Sequence, residues 1–122
     1  MVLADTSVWI EHFRRGEPRL ADRLSQGLVL MHPVVSGELA CGNLKNRAAV
    51  LSDLHALPLA ILASDAEVSR FIEDRRLWGR GLGWVDMHLL ASSVLSLCEF
   101  WTLDKRLAQV GKELGLGRTI RR

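Results

Sequence analysis

The sequence is poor in cysteine, and none of its apolar segments is long enough to cross a membrane. Cys41 and Cys98 are the only cysteines, and their spacing matches neither a zinc site nor a redox motif. We therefore interpret both as small buried apolar residues and expect no disulfide framework. Polar residues break every apolar stretch well short of the roughly 18 residues that a transmembrane helix needs. These absences exclude a disulfide-stabilised scaffold and a membrane-spanning protein.

The start of the sequence lacks a basic segment followed by a long apolar one, so no secretory signal is predicted and a cytoplasmic location is expected. We also find no internal repeat, linker or low-complexity segment. With 48% hydrophobic and 25% charged residues, the composition is that of a globular protein. For 122 residues we expect a single domain that spans positions 1–122.

Short apolar runs alternate along the chain with segments whose apolar residues recur at helical spacing. This alternation predicts a parallel α/β sheet with helices on both faces. Strands are expected at residues 2–4, 28–31, 58–62 and 99–103. Helices are expected over residues 7–15, around 20–24, from 33 onward, and over 46–57, 65–77, 84–97 and 105–114.

Four acidic residues lie against apolar segments, namely Asp5, Glu38, Asp86 and Asp104. The first and last follow predicted strands, Asp86 opens a predicted helix, and Glu38 lies in the early turns of another. Ligands of an open parallel sheet bind beyond the carboxyl ends of its strands, so the four side chains can converge on one crevice. Carboxylates that converge repel one another unless cations lie between them. The pattern favours a hydrolase that uses a divalent metal ion.

Each acid taken alone has a structural alternative. Asp5 and Asp104 can simply cap the helices that follow them, and Asp86 can interact favourably with a helix dipole. A cap does not account for Glu38, although exposed glutamates are common on helices. The single positions therefore leave both interpretations open.

The motifs around these acids are more specific: Val-Leu-Ala-Asp5-Thr6-Ser7-Val-Trp-Ile, Val-Val-Ser-Gly-Glu38-Leu-Ala, Val85-Asp86-Met-His-Leu-Leu-Ala and Trp101-Thr102-Leu103-Asp104-Lys105-Arg106-Leu107. Their order and spacing closely resemble those of the PIN-domain ribonucleases, in particular the VapC-type toxins of bacterial toxin–antitoxin pairs. The resemblance extends over essentially the whole chain, except that residues 43–80 match no motif.

This resemblance implies a three-layer α/β/α sandwich around a central parallel sheet, and an endoribonuclease that leaves a 5′-phosphate and a 3′-hydroxyl. It matches the four acids one by one with those of the family. Thr6 and Thr102 match hydroxyl positions that help to hold the acids or the water at the metal. A small antitoxin protein that blocks the site, and a homodimer, are implied in the same way.

The chemistry of the residues supports a metal-dependent enzyme independently. Carboxylate oxygens suit Mg²⁺ or Mn²⁺, which commonly keep several waters and bridge to phosphate oxygens. Such an ion lowers the pKa of a bound water and neutralises charge on a phosphodiester. We predict Asp5, Asp86 and Asp104 as metal ligands. Glu38 is predicted as a further ligand or as the group that orients the attacking water.

Positive charge and aromatic residues supply the candidates for RNA contact. Without the four site acids, 10 acidic residues stand against 16 basic ones, and 13 of the latter are arginines, which suit bidentate phosphate contact. A solvated surface of mixed charge explains the same composition. Trp78 and Trp84 flank a glycine loop and can stack on RNA bases, with core packing or a dimer contact as alternatives. The candidates for phosphate contact are Arg14, Arg15, Arg75, Arg76, Arg80, Lys105 and Arg106.

Two other functions are alternatives to a nuclease. A phosphatase of the haloacid dehalogenase type would use Asp5 as a nucleophile, but it needs a second acid two residues later, where Ser7 stands. A non-catalytic RNA- or protein-binding module on a PIN-like fold gains little from a cluster of acids facing RNA. The apolar helical region over residues 34–57 is a candidate docking surface for a protein partner, although burial in the core explains many of the same residues.

Overall fold

A computed structural model describes residues 1–117 of the chain. The strands within these residues are β1 (Val2–Ala4), β2 (Val29–Leu30) and β3 (Glu99–Trp101). The helices, in chain order, are α1 (Thr6–Arg15), α2 (Pro18–Ser25), α3 (Pro33–Ala40), α4 (Arg47–His55), α5 (Asp65–Arg75), α6 (Trp84–Ser96) and α7 (Lys105–Glu113). Over residues 1–117, no helix has both the length and the apolar character needed to span a bilayer.

The three strands form one parallel sheet in the order β2-β1-β3. In the central strand, Leu3 pairs with Leu30 on one side and with Phe100 on the other. All three residues of β1 are fully buried, as expected for a parallel strand that is covered on both faces. The carboxyl ends of β1 and β3 therefore lie side by side at one edge of the core, and Asp5 follows β1 directly at that edge.

The helices pack in two groups. In one, α1 contacts α3 and α3 contacts α4; in the other, α5 contacts α6, which also contacts β3. This arrangement agrees with the predicted α/β sandwich around a parallel sheet. Most predicted helices are confirmed within a few residues of their expected ends.

The strand predicted at residues 58–62 is wrong. This segment makes only an isolated parallel bridge between Leu59 and Met31. Beyond it, the backbone N–H groups of Ile61 and Ala63 donate to the hydroxyl groups of Ser96 and Ser92 in α6. Because side chains of α6 take these donors, no regular ladder extends past the bridge.

Short polar side chains define several helix starts. Asp5 caps α1 by accepting from the Val8 N–H, and Asp104 caps α7 by accepting from two backbone N–H groups. Ser64 and Glu67 form a reciprocal capping box at α5. Asp5 and Asp104 therefore do cap the helices that follow them. Each cap uses only Oδ1 of the carboxylate, so Oδ2 can have another partner.

Three further sequence interpretations need correction. Cys41 is exposed, because α3 ends at Ala40 and the chain leaves the core there; only Cys98 is buried. Glu38 lies near the end of the two-turn helix α3 rather than in its early turns. The helix predicted over residues 84–97 ends at Ser96, and Leu97 adopts a left-handed conformation with 94% of its surface exposed.

Candidate active site

The site is centred on Asp5, which is only 7% exposed at the end of the central strand. Its Oδ1 accepts hydrogen bonds from the Ser7 hydroxyl (2.5 Å) and the Val8 N–H (3.3 Å), and its Oδ2 accepts one from the Thr102 hydroxyl (2.5 Å). Burial raises the pKa of the Asp5 carboxyl, although the hydrogen bonds from Ser7 and Thr102 oppose the shift. The side chain is held in one orientation by groups from two strand ends.

Thr102 and Ser7 join the end of β3 to the end of β1. The fully buried Thr102 hydroxyl donates to Asp5 and also accepts the N–H of Asp104 at 3.1 Å. The Ser7 hydroxyl donates to Asp5 and accepts the N–H of Leu103 at 3.0 Å. These bonds bring Asp104 to the same edge of the sheet as Asp5.

Glu38 reaches this edge from α3. Its Oε1 accepts a hydrogen bond of 2.6 Å from the hydroxyl of Thr6, the residue that follows Asp5. Glu38 is an exposed residue, and this bond places its carboxylate at the start of α1. The hydroxyls of Thr6 and Thr102 thus bond to Glu38 and Asp5 respectively, and their supporting part in the reaction stays a prediction.

Asp86 lies in the first turn of α6, where its Oδ2 accepts the N–H of Gly83 at 3.0 Å. The loop before α6 rests on α7: a Cβ at Gly81 would lie 2.6 Å from Nη1 of Arg106, and Arg80 makes two bonds of 2.7 and 2.8 Å to Glu113. These contacts bring the start of α6 close to α7, which begins after Asp104. No described contact joins Asp86 directly to the other three acids.

His32 at the start of α3 and His88 in α6 are two further titratable groups outside the four acids. Burial lowers the pKa of the His32 imidazole, and the nearby charge of His88 lowers it further. His32 caps α3 through Nδ1, and its buried Nε2 has no hydrogen-bond partner within residues 1–117. His88 pairs with Asp65 at 3.1 Å.

The donor set fits a hard divalent cation. Over residues 1–117, Asp104 Oδ2, Asp86 Oδ1 and Glu38 Oε2 accept no hydrogen bond from the protein, and Asp5 Oδ2 accepts only one. In the same part of the chain, no group of three or more acidic, histidine or cysteine side chains is arranged so that it could hold a metal ion. Mg²⁺ commonly binds through one or two carboxylates and keeps its remaining waters, so a complete cage is not required.

Sequence reasoning missed the part that Ser7 plays. Its hydroxyl both donates to Asp5 and accepts from the backbone after Thr102, yet the sequence assigned it no role in the site. The available signal was its place in the Asp5-Thr6-Ser7 motif, two positions after the acid.

The predicted basic residues do not form one group. Arg14 and Arg15 lie at the far end of α1, and Arg15 approaches Glu11 at 3.5 Å. Arg80 is held by Glu113, whereas the side chain of Arg106 lies against the loop at Gly81. Lys105 and Arg106 follow Asp104 at the start of α7, and Arg80 lies in the loop before α6, whose first turn carries Asp86. Arg75 and Arg76 lie at the end of α5, before that loop.

Trp78 and Trp84 are 56% and 47% exposed, so the interpretation that they pack in the core is wrong. Leu77 takes the buried position at the end of α5, and Met87 does so in the first turns of α6. Both indoles remain on the surface of the loop region next to Asp86.

Comparison with known proteins adds independent information. The family model described as "PIN domain" matches residues 2–113. Ribonuclease VapC32 from two strains of Mycobacterium tuberculosis is 44% identical over 117 residues, which cover 95% of this chain and 94% of the relative. The match therefore includes all the motifs that contain the acids.

Proposed function

The chain belongs to the PIN-domain family and is a VapC-type endoribonuclease toxin, and from this premise we propose that it hydrolyses RNA with a divalent metal ion held by Asp5, Asp86 and Asp104. One observation carries the proposal: the Thr102 hydroxyl ties the buried Asp5 carboxylate to the backbone of Asp104 at the carboxyl edge of the sheet. A residue that only caps a helix requires neither the burial of its carboxylate nor the hydrogen bond that Asp5 accepts from Thr102. Mg²⁺ is the proposed ion, with Mn²⁺ as its substitute.

The surrounding residues define what each acid contributes. Asp5 is held by Ser7 and Thr102, so it offers one lone pair of Oδ2 in a fixed direction. Asp86 and Asp104 lie at the N-terminal ends of α6 and α7, where the helix dipoles favour the ionised carboxylate. When bound there, a divalent ion lowers the pKa of water and neutralises charge on the phosphodiester.

Glu38 is proposed to act on the attacking water. Thr6 holds Oε1 at 2.6 Å, which leaves Oε2 of this exposed residue to accept a proton. Attack of that water on phosphorus breaks the bond to the 3′ oxygen, which takes a proton from solvent. The products are a 5′-phosphate and a 3′-hydroxyl.

An antitoxin protein is the proposed partner that restrains this activity. A groove of about 410 Å³ lies between the end of α1 and the connection from α3 to α4, lined by Phe13, Arg14, Asn43, Leu44, Lys45 and Val50. This groove combines an exposed aromatic side chain with two cations, which suits a peptide of mixed apolar and acidic character. It overlaps the candidate docking region over residues 34–57.

A homodimer is also proposed. The hydrogen bond from Ile61 N–H to Ser96 joins two exposed apolar segments, which contain Leu59, Ile61 and Leu62 on one side and Leu95 and Leu97 on the other. Exposed apolar residues that cluster in this way are typical of protein interfaces. Gel filtration of the chain alone tests the dimer. Leu97→Asn should weaken the dimer without straining the fold, because asparagine readily adopts the left-handed conformation found at this position.

The decisive experiment is RNA cleavage with the metal as the variable. The purified protein should cleave RNA when Mg²⁺ or Mn²⁺ is added and should stop when EDTA is present. The 3′ fragment should carry a 5′-phosphate that a phosphate-dependent exonuclease can digest. Cleavage that continues in EDTA, or fragments with a 5′-hydroxyl, would refute the metal-dependent mechanism.

A further inference from the structure

Two of the four tryptophans lie on the surface beside the candidate active site. Trp9 and Trp101 are 2% and 5% exposed, whereas Trp78 and Trp84 are 56% and 47% exposed at the two ends of the loop before α6. Leaving a large aromatic surface in water has a cost unless a partner covers it. An indole that is held in a fixed orientation is better suited to bind a ligand than one that is free to rotate.

The loop between them is fixed against α7. Gly81 has a positive φ of 81° and lies so close to the Arg106 side chain that a Cβ would collide with it. Arg80 makes a bidentate pair with Glu113. The loop thus contacts α7 near its start, at Arg106, two residues after Asp104, and at its last residue, Glu113.

Trp84 is additionally held in one orientation. Its ring meets the ring of His88 edge to face, with centroids 4.8 Å apart and an angle of 82° between the planes. Nε2 of His88 is in turn 3.1 Å from Asp65. Trp84 and Asp86 both belong to the first turn of α6, where Trp84 lies on the same side as His88 and about 200° around the helix from Asp86. Trp78 has no described ring contact and lies on the far side of the glycine loop.

Building on the nuclease function proposed above, we propose that Trp84 stacks on an unpaired RNA base next to the phosphodiester that is cleaved. A fixed indole of this kind presents a π-face that every base can use, so it selects single-stranded RNA rather than a particular sequence. The surroundings favour RNA over an apolar protein segment: the exposed Lys105 and Arg106 follow Asp104, and Arg75 and Arg76 end α5 just before the loop.

Binding measurements separate stacking from simple apolar contact. The probe is a fluorescently labelled oligoadenylate, bound in an Asp5→Asn background in which gel analysis shows the strand to be intact. Trp84→Leu, which keeps an apolar side chain but has no π-face, should weaken binding by about 10- to 100-fold. Trp84→Phe should keep most of the affinity. Trp78→Leu is the matched control and should change binding little.

Two further readouts connect the effect to cleavage. With Asp5 restored, Trp84→Leu should raise KM for RNA while kcat changes less, because a binding contact is lost. The same adenylate strand annealed to oligouridylate should bind the wild-type protein more weakly and show little dependence on Trp84, since its bases are already stacked in a duplex.

The stacking proposal is overturned if Trp84→Leu binds oligoadenylate as the wild type does, or if Trp78→Leu and Trp84→Leu weaken binding equally. It is also overturned if Trp84→Leu changes only the elution volume in gel filtration or only inhibition by the antitoxin, because the indole then serves a protein partner. In these cases wild-type cleavage continues with metal, so the nuclease function stands. A wild-type protein that neither binds nor cleaves RNA would instead refute the nuclease function.

Discussion

The hydroxyl of Thr102 donates a 2.5 Å hydrogen bond to Oδ2 of Asp5, although the two residues are 97 positions apart in the chain. The same hydroxyl accepts the N–H of Asp104. One buried side chain thus sets the distance between two of the proposed metal ligands. The arrangement of the site depends on this contact more than on any local motif.

Thr102→Val should test that dependence. Valine has a similar shape but cannot bond to the Asp5 carboxylate or accept the Asp104 N–H, so we expect the free energy of unfolding to fall by about 1–3 kcal/mol. Cleavage should fall as well, because Asp5 loses its fixed orientation. Thr102→Ser restores the hydroxyl and should recover much of both in chemical denaturation and cleavage assays. Equal cleavage by the Val and Ser variants would contradict this role.

Asp5→Asn should separate chemistry from capping. Burial raises the pKa of Asp5, so the ionised carboxylate is disfavoured in the folded, metal-free protein, and a neutral amide relieves that cost while it still accepts the Val8 N–H. We expect cleavage to be abolished and the melting temperature without metal to be equal or higher. The exposed Asp53 on α4 supplies the control, since Asp53→Asn should leave cleavage intact. Loss of stability with retained cleavage would mean that Asp5 acts only as a cap.

Metal binding should stabilise the fold through Asp86. An ion that binds only the folded state adds about 2.7 kcal/mol at a concentration 100 times its Kd. Mg²⁺ should therefore raise the melting temperature of the wild type, and the increase should shrink strongly in Asp86→Asn, whose amide oxygen can still accept the Gly83 N–H. Asp53→Asn should respond as the wild type does. An unchanged Mg²⁺ response in Asp86→Asn would remove this residue from the ligand set.

Stability should depend on His32 below neutral pH. Burial, and then the charge of His88, lower the pKa of His32, so its ring takes up a proton less readily in the fold than in the unfolded chain, which is protonated below about pH 6.5. Stability is thus fully present above that pH and declines as pH falls, by at most about 1.4 kcal/mol per pH unit. In urea titrations, His32→Asn, which can still cap α3, should show a smaller decline. Parallel curves for both proteins would rule out this contribution.

Salt dependence should distinguish Arg106 from Arg80. If Arg106 contacts a phosphate, Arg106→Gln should make the plot of log affinity against log salt shallower by about 0.7, the contribution of one phosphate on a single strand. Arg80 is already paired in a bidentate manner with Glu113, so Arg80→Gln should change the slope less. Fluorescence anisotropy over a range of NaCl concentrations measures both. The reverse order would mean that the ion pair opens when RNA binds.

Local sequence was sufficient where the controlling interaction is local. The strand at 2–4 and the helix start at 33 each depend on residues that are close in sequence, and both predictions are confirmed. The strand at 58–62 failed because its hydrogen-bond donors go to Ser92 and Ser96, more than 25 positions away. The pattern of apolar residues contains no information about that competition.

The four acid-containing motifs and their order were sufficient to predict the family and its metal-dependent chemistry, because motifs and their spacing can be read directly from the sequence. Only the tertiary structure decided that Ser7, Thr6 and Thr102 hold Asp5 and Glu38, and that Trp84 is exposed with its ring held against His88. Contacts between residues 32 or 97 positions apart depend on how strands and helices pack. Periodicity and propensity act over a few residues, so they set the elements but not the partners that meet between them.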